Sequence, residues 1–175
     1  MALSTALALA AAIGTYALLA DDEPADPAGV ELTPTDELPA LDDVTFTTYD
    51  GEAVALASLR GTPTVVNFFA STCAPCVKEM PALEEVHQEL GDAVTFLGLA
   101  VQDRPEDAEA LVARTGVTYR TALDKDGAVL NALDGILLPT TVLLDADGAV
   151  LDQHTGELTA DGLRQLIADA LGPTP

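Results

Sequence analysis

The stretch NFFASTCAPCVKEMP, residues 67–81, carries both cysteines of the 175-residue chain, Cys73 and Cys76. An apolar, β-branched run precedes the pair and a pattern of helical spacing follows it, so Cys73 falls where a buried strand passes into a helix. Unpaired backbone N–H groups at the start of a helix stabilise a thiolate. Pro75 suits this first turn, because its missing N–H would have had no helical partner.

The separation of the two cysteines indicates which chemistry they suit. Residues i and i+3 are neighbours on one face of a helix, so the two sulfurs can bond without displacing the backbone. As a structural staple the pair would gain little, because stabilisation by a disulfide grows with the length of the loop it closes. We therefore expect reversible thiol–disulfide exchange, with Cys73 as the exposed attacking sulfur and Cys76 as the sulfur that resolves the mixed disulfide.

Two other uses of the pair remain open at this point. A zinc site would need two further ligands, and neither His87 nor His154 has zinc-type spacing to the cysteines. An inert disulfide in an adhesion or scaffold domain would tolerate Cys73→Ser without loss of function.

On either side of the cysteines, apolar β-branched runs alternate with segments of helical periodicity. The predicted order over residues 42–175 is β-β-β-α-β-α-β-α-β-β-α. Asp50-Gly51 marks a hairpin turn between the first two strands, and Thr159 and Gly172 are the expected N-cap and end of the last helix. This alternation predicts an α/β layered sheet with an antiparallel hairpin at one edge.

The first 41 residues differ sharply in composition from the rest. Residues 1–20 carry no charged side chain, and a helix of that length would span about 30 Å, the thickness of a bilayer core. They are predicted to be a membrane anchor or an uncleaved signal sequence. Residues 21–41 are rich in Pro and acids, which predicts an extended tether without a core of its own.

The charge of the chain argues against two classes of partner, nucleic acids and anionic membrane surfaces. Its 29 acidic and 7 basic residues give a formal net charge of −22. Nine of the acids fall in residues 21–43, so the remainder holds 20 acids and 7 bases, a net charge of −13. Nucleic acids and anionic membrane surfaces need a basic face. We expect a soluble domain that repels its own copies and is a monomer.

Two longer stretches, VVNFFASTCAPCVKEMPAL and LPTTVLLDADGAV, resemble the TlpA/ResA/CcmG-type thiol-disulfide oxidoreductases of the thioredoxin superfamily, which have a redoxin-like domain. The resemblance covers Asp42 to Gly172 and includes Pro81, five residues after Cys76. It implies a thioredoxin-like α/β fold, a central mixed sheet flanked by helices with an N-terminal hairpin and a helical central insert. It also implies that Pro139 is cis and faces the disulfide, and that Leu138 offers backbone groups to a bound peptide.

The chain departs from this family pattern at several positions. The family commonly has Trp where Phe69 and Thr72 stand here, which implies a smaller apolar docking surface. Asn67 resembles the family's Asn at the position where thioredoxin carries a buried Asp, so that proton acceptor is absent. Glu79 matches an acidic residue of ResA-like reductants, although an acid at this position also suits a solvated helix face.

The resemblance implies an extracytoplasmic, membrane-tethered protein-disulfide reductase that needs no cofactor and no metal. It would pass electrons from a membrane donor to disulfide-bearing protein substrates, with cytochrome c maturation as the candidate process. A disulfide-forming oxidase on the same fold is the main alternative, and a non-enzymatic copper-binding chaperone that uses His154 is a second. A peroxiredoxin is disfavoured, because Ala70 stands where that family needs Thr.

Overall fold

The computed structural model describes residues 43–172, in which a mixed sheet carries helices on both faces. The predicted membrane anchor, residues 1–20, and the predicted tether, residues 21–41, lie outside the described residues. Residue 42, where the folded domain is predicted to begin, also lies outside them. None of the helices between residues 43 and 172 has the length and apolarity that a membrane crossing requires.

The sheet has seven strands in the spatial order β2-β1-β5-β4-β3-β6-β7. The bounds of the strands are β1 Thr45–Thr47, β2 Ala53–Ala55, β3 Thr64–Phe69, β4 Thr95–Val101, β5 Arg120–Asp124, β6 Thr140–Leu144 and β7 Val150–Thr155. β3, β4 and β5 run parallel to one another, whereas β6 is antiparallel to β3 and β7 is antiparallel to β6. The hairpin of β1 and β2 completes the other edge through an antiparallel pairing of β1 with β5.

Four α-helices occur among the described residues, and their order with the strands confirms the predicted one. Their bounds are α1 Ala74–Leu90, α2 Pro105–Thr115, α3 Ala128–Ala132 and α4 Ala160–Leu171. Thr159 is the N-cap of α4, since its hydroxyl oxygen accepts a hydrogen bond from the backbone N–H of Gly162, and Gly172 is the C-cap. Gly51 has a φ of 94°, which explains why glycine stands in the turn between β1 and β2.

Two apolar clusters lie on the two faces of the sheet, and β3 contributes to both. It is buried at every position, as expected for a strand covered on both faces. Val65 and Phe69 pack in the cluster that includes residues of α1, α2 and α4. Val66 and Phe68 pack in the cluster that includes residues of α3. The largely apolar character of this strand therefore follows from its central place in the sheet.

Three segments that carry predicted site residues meet at one edge of the sheet. β3 ends at Phe69 and leads into Cys73 and α1. The register pairs Phe69 with Ala100 of β4, which runs parallel, and Phe68 with Thr140, the first residue of antiparallel β6. Pro139, one residue before β6, therefore lies at the same edge as the chain that leads to Cys73.

Candidate active site

The two cysteines form a disulfide across the first turn of α1, with 5.3 Å between their Cα atoms. Cys73 is the N-cap of the helix, and its sulfur accepts a hydrogen bond from the backbone N–H of Cys76 at 3.3 Å. Pro75 lies in the first helical turn, as predicted. Cys73 is half-buried rather than exposed, while Cys76 is fully buried. Of the two sulfurs, Cys73 is therefore the one that a partner can reach.

A tight turn between β3 and α1 places Cys73 at the N-cap of the helix. The backbone N–H of Cys73 donates to the carbonyl of Ala70 at 3.0 Å, which closes the turn between β3 and α1. The carbonyl of Cys73 then accepts from the N–H of Val77 at 3.2 Å and begins the helix. Pro81 lies further along α1 on its exposed face. The local geometry thus places the sulfur of Cys73 against the N–H of Cys76, one of the helix-start groups that have no acceptor within the helix.

Glu79 is buried one turn beyond Cys76, with 1% of its surface exposed. Its carboxyl accepts two hydrogen bonds, one from the side-chain amide of Asn67 at 2.8 Å and one from the backbone N–H of Leu158 at 3.1 Å. Burial raises the pKa of Glu79 from 4.5 to about 7, although both hydrogen bonds lower it and the nearby charge of Glu157 raises it further. The interpretation of Glu79 as a solvated helix acid is therefore wrong.

Asn67 connects this carboxyl to the sheet. Its amide nitrogen donates to Glu79 and also to the hydroxyl oxygen of Thr141 at 3.1 Å. Its amide oxygen is buried and has no hydrogen-bond partner among the described residues. The sequence predicts that the acceptor found at this position in thioredoxin is absent. In the structure a carboxyl from α1, that of Glu79, lies beside Asn67 instead.

Two contributors to this network were not predicted from the sequence. Thr141 lies beside Asn67 in the register of β3 and β6, so the two side chains share one face of the sheet. That contact could have been found from the sequence once the pairing of these strands was known. The N–H of Leu158 comes from the segment before α4, 79 residues after Glu79, and no local pattern indicates it.

The peptide bond between Leu138 and Pro139 is cis, as the family resemblance implies. Pro139 is buried and Leu138 is half-buried, packed against both apolar clusters. The two preceding residues are the most exposed large apolar side chains of the described chain, Ile136 at 87% and Leu137 at 64%. Apolar surface is therefore present beside the cis-proline even though Trp is missing at positions 69 and 72.

The two histidines do not join the cysteines. The ring of His87 packs against Phe96 at 5.2 Å and Tyr119 at 5.8 Å between centroids, on the opposite end of α1 from Cys73. His154 is the register partner of Thr141 on β7. Between residues 43 and 172, no group of three or more His, Cys, Asp or Glu side chains is placed to hold a metal ion.

Comparison with known proteins identifies the family of this fold and this cysteine pair. The Redoxin family matches residues 33–167, more than half of the chain. The chain belongs to the redoxin family. It is similar to the thioredoxin-like protein YneN of Bacillus subtilis (strain 168), at 32% identity over 129 residues, which cover 71% of this chain and 75% of YneN.

Two further relatives support the same assignment. The thiol-disulfide oxidoreductase ResA of Geobacillus thermodenitrificans (strain NG80-2) is 32% identical over 126 residues, covering 70% of this chain and 71% of ResA. Among solved structures, dsbF of MTB in its mixed oxidized and reduced forms has a TM-score of 0.68 at 28% identity, covering 75% of this chain and 98% of dsbF. This redoxin-family protein is thus a thiol-disulfide oxidoreductase with a thioredoxin-like fold, and the resemblance stated from the sequence is confirmed.

Proposed function

We propose that this redoxin-family protein reduces disulfides of partner proteins outside the cytoplasm, with Cys73 as the attacking sulfur and Cys76 as the resolving one. The observation that carries the proposal is the buried carboxyl of Glu79, which lies one helical turn from the buried Cys76. A buried thiol needs a nearby group to take its proton before it can attack. The uncharged segment of residues 1–20 supports the location.

The proposed exchange has two steps that conserve electrons and protons. In the first, the thiolate of Cys73 attacks one sulfur of the partner's disulfide, and the other partner sulfur leaves as a thiolate that takes up a proton. In the second, Cys76 gives up its proton and attacks Cys73, which breaks the bond to the partner and releases its second thiol. Two electrons pass to the partner, and a membrane donor returns two electrons to the pair.

We assign Glu79 as the group that accepts the proton of Cys76. Both residues lie on the buried face of α1 and are spaced as neighbours on a helix. A pKa of about 7 means that the carboxyl holds and releases a proton in the neutral range, which is the condition for efficient proton transfer. The hydrogen bonds from Asn67 and Leu158 hold the carboxyl in place while its charge changes.

The reducing direction is proposed from the charges around Cys73. Only Ala74 and Pro75 separate the cysteines, so no cationic side chain between them stabilises a thiolate. Glu79 and the net charge of −13 beyond residue 43 disfavour another negative charge. A thiolate that is less stabilised makes the reduced form less favourable, so the pair should donate electrons.

We further propose that partners dock on the apolar surface formed by Ile136, Leu137 and the cis-proline segment. The exposure of both side chains at the edge of the sheet where Cys73 lies supports this assignment. Unfolded segments that carry a disulfide, such as those of apocytochromes c, are the candidate substrates that the family resemblance implies.

The redox potential of the Cys73–Cys76 pair tests the direction. Equilibration of the protein with glutathione or dithiothreitol, followed by thiol alkylation and mass measurement, should give a potential of about −220 to −280 mV. A value near the roughly −120 mV of a strong oxidant would favour disulfide formation and reject the reductase proposal.

Trapping of partners tests the roles of the two sulfurs. The Cys76→Ser protein should accumulate mixed disulfides through Cys73, because the resolving sulfur is missing. The matched Cys73→Ser protein should accumulate none. Adducts that map to Cys76 in the Cys73→Ser protein would reverse the assignment.

A further inference from the structure

A carboxylate from the neighbouring crossover holds the turn that carries Cys73. Asp103 follows β4 and precedes α2. One of its oxygens accepts from the backbone N–H of Ser71 at 2.5 Å, and the other accepts from the hydroxyl of Ser71 at 2.8 Å. We propose that Asp103 is a positioning residue for Cys73, acting through Ser71. This inference rests on the proposed role of Cys73 as the attacking sulfur.

The two hydrogen bonds from Ser71 to Asp103 form what we call the polar clamp. The contacts around Ser71 explain how this clamp holds the turn between β3 and α1. Ser71 lies between Ala70 and Cys73, whose backbones are joined by a single hydrogen bond of 3.0 Å. Both donors of Ser71 are directed to Asp103. Asp103 is itself fixed, because the oxygen that faces the hydroxyl of Ser71 also accepts from the backbone N–H of Arg104 at 3.0 Å, one residue before α2 begins. The turn is thereby tied to the start of α2.

Packing alone does not hold this turn. Thr72, directly before Cys73, is exposed, and Ser71 is half-buried. No large apolar side chain lies between Phe69 and Cys73 to anchor the backbone in the core. The polar clamp therefore keeps the sulfur of Cys73 facing the N–H of Cys76, which is 3.3 Å away. In the reduced protein that N–H stabilises the thiolate that attacks.

The carboxylate has two separable effects on Cys73, one through its contacts and one through its charge. Its charge disfavours the thiolate, as do those of the other acids nearby. Burial is the main cause of the raised pKa of Tyr49, and the charges of Glu109 and Asp103 raise it further, so both acids lie near this phenol. Asp103→Asn removes the charge and can keep both contacts to Ser71, since its amide oxygen faces the N–H of Ser71 and the hydroxyl turns to accept from the amide nitrogen. It loses only the bond from the N–H of Arg104, because an amide nitrogen cannot accept. Asp103→Ala removes both the charge and the contacts.

The test compares these two variants in the full chain. The rate at which iodoacetamide alkylates Cys73 in the reduced protein is measured from pH 5 to pH 10, with the modified cysteine identified by mass mapping. At neutral pH we expect Asp103→Ala to react about twofold to fivefold more slowly than Asp103→Asn, the size of a lost helix N-terminal contact. Asp103→Asn should react at least as fast as the wild type. The matched control is Asp92→Asn, an exposed aspartate just before β4 at the opposite end of the same strand, and it should leave the rate unchanged.

A second pair of variants decides the outcome if Asp103→Ala does not fold. Ser71→Ala loses the hydroxyl contact and should slow alkylation, whereas Ser71→Thr keeps a hydroxyl and should restore the rate. Equal alkylation rates in Asp103→Ala and Asp103→Asn, or in Ser71→Ala and Ser71→Thr, would overturn the proposal and leave Asp103 with a role in stability alone. If Cys76 is the faster cysteine in the wild type, the proposed roles of the two sulfurs fail, whatever the Asp103 variants show.

Discussion

Replacing Glu79 with glutamine should remove a pH dependence from the stability of the oxidised fold. The carboxyl has a pKa of 4.5 in the unfolded chain and about 7 in the folded protein. The fold therefore binds the proton of Glu79 more tightly than the unfolded chain does. The contribution of this proton to stability is complete below pH 4.5, and it is lost as the pH rises through about 7.

The size of the effect follows from the two pKa values. One pKa unit corresponds to about 1.4 kcal/mol, so the wild type should lose about 3 kcal/mol relative to Glu79→Gln between pH 4.5 and pH 8.5. The variant can keep its hydrogen bonds. The new amide can accept from the N–H of Leu158 and donate to the oxygen of Asn67, which lacks a partner among the described residues, once the Asn67 amide rotates. Any pH-independent difference between the two proteins in the free energy of unfolding cancels, because only the change with pH is compared.

The assay is denaturant unfolding of the oxidised wild type and of Glu79→Gln at several pH values. Glu109→Gln, which removes an exposed carboxyl from α2, is the matched control and should follow the wild type. A carbon NMR titration of the Glu79 carboxyl should show a midpoint near 7 directly. Parallel stability profiles for the wild type and Glu79→Gln would show that the carboxyl is solvated in the fold and would refute the reasoning.

Three other changes have outcomes that follow from the structure. Asn67→Asp places a second carboxyl within 2.8 Å of Glu79; because both cannot ionise, the variant should be destabilised by about 1–3 kcal/mol, and more at pH 8 than at pH 5, in denaturant unfolding. Arg164→Ala removes the ion pairs that join α4 to Glu85 and Glu89 of α1; it should lower Tm, and the deficit should shrink in about 1 M salt, which screens such pairs. Removal of residues 1–41 should release the protein from membranes into the soluble fraction while disulfide reduction persists, and a truncated protein that does not fold would show that the segment belongs to the core.

The order of strands and helices could be predicted from the sequence because each element has a strong period and clear end signals. β3 and β4 are largely apolar runs, and α4 begins and ends at its expected caps. The β-branched and aromatic run that precedes α3 starts at Val117, whereas β5 begins only at Arg120. Val117 and Tyr119, which precede β5, are buried in the apolar cluster that includes residues of α1. Their burial therefore reflects packing against the helix and not strand pairing.

The cysteine pair could be predicted equally well, whereas the environment of Glu79 could not. The spacing and the helix start that define the pair are local features of residues 67–81. The burial of Glu79 depends on the N–H of Leu158 and on Asn67, which lie far from it in the chain. Periodicity gives the face of a helix on which a residue lies, but it does not show whether a distant donor will satisfy a buried carboxyl.

The buried carboxyl lies on α1, at Glu79, and not on β3, where Asn67 stands. This placement has a physical consequence for the chemistry. A carboxyl on β3 would be placed relative to Cys76 by the packing of a strand against a helix. The carboxyl of Glu79 is carried by the same helix as Cys76, so one turn of α1 sets their relation. Asn67 then acts as the sheet-side contact that keeps the carboxyl buried, and Thr141 fixes the Asn67 amide in turn. In the proposed exchange the acid and the resolving sulfur share one rigid element, so small shifts between helix and sheet change the pKa of Glu79 through its hydrogen bonds but leave its spacing from Cys76 along α1 unchanged.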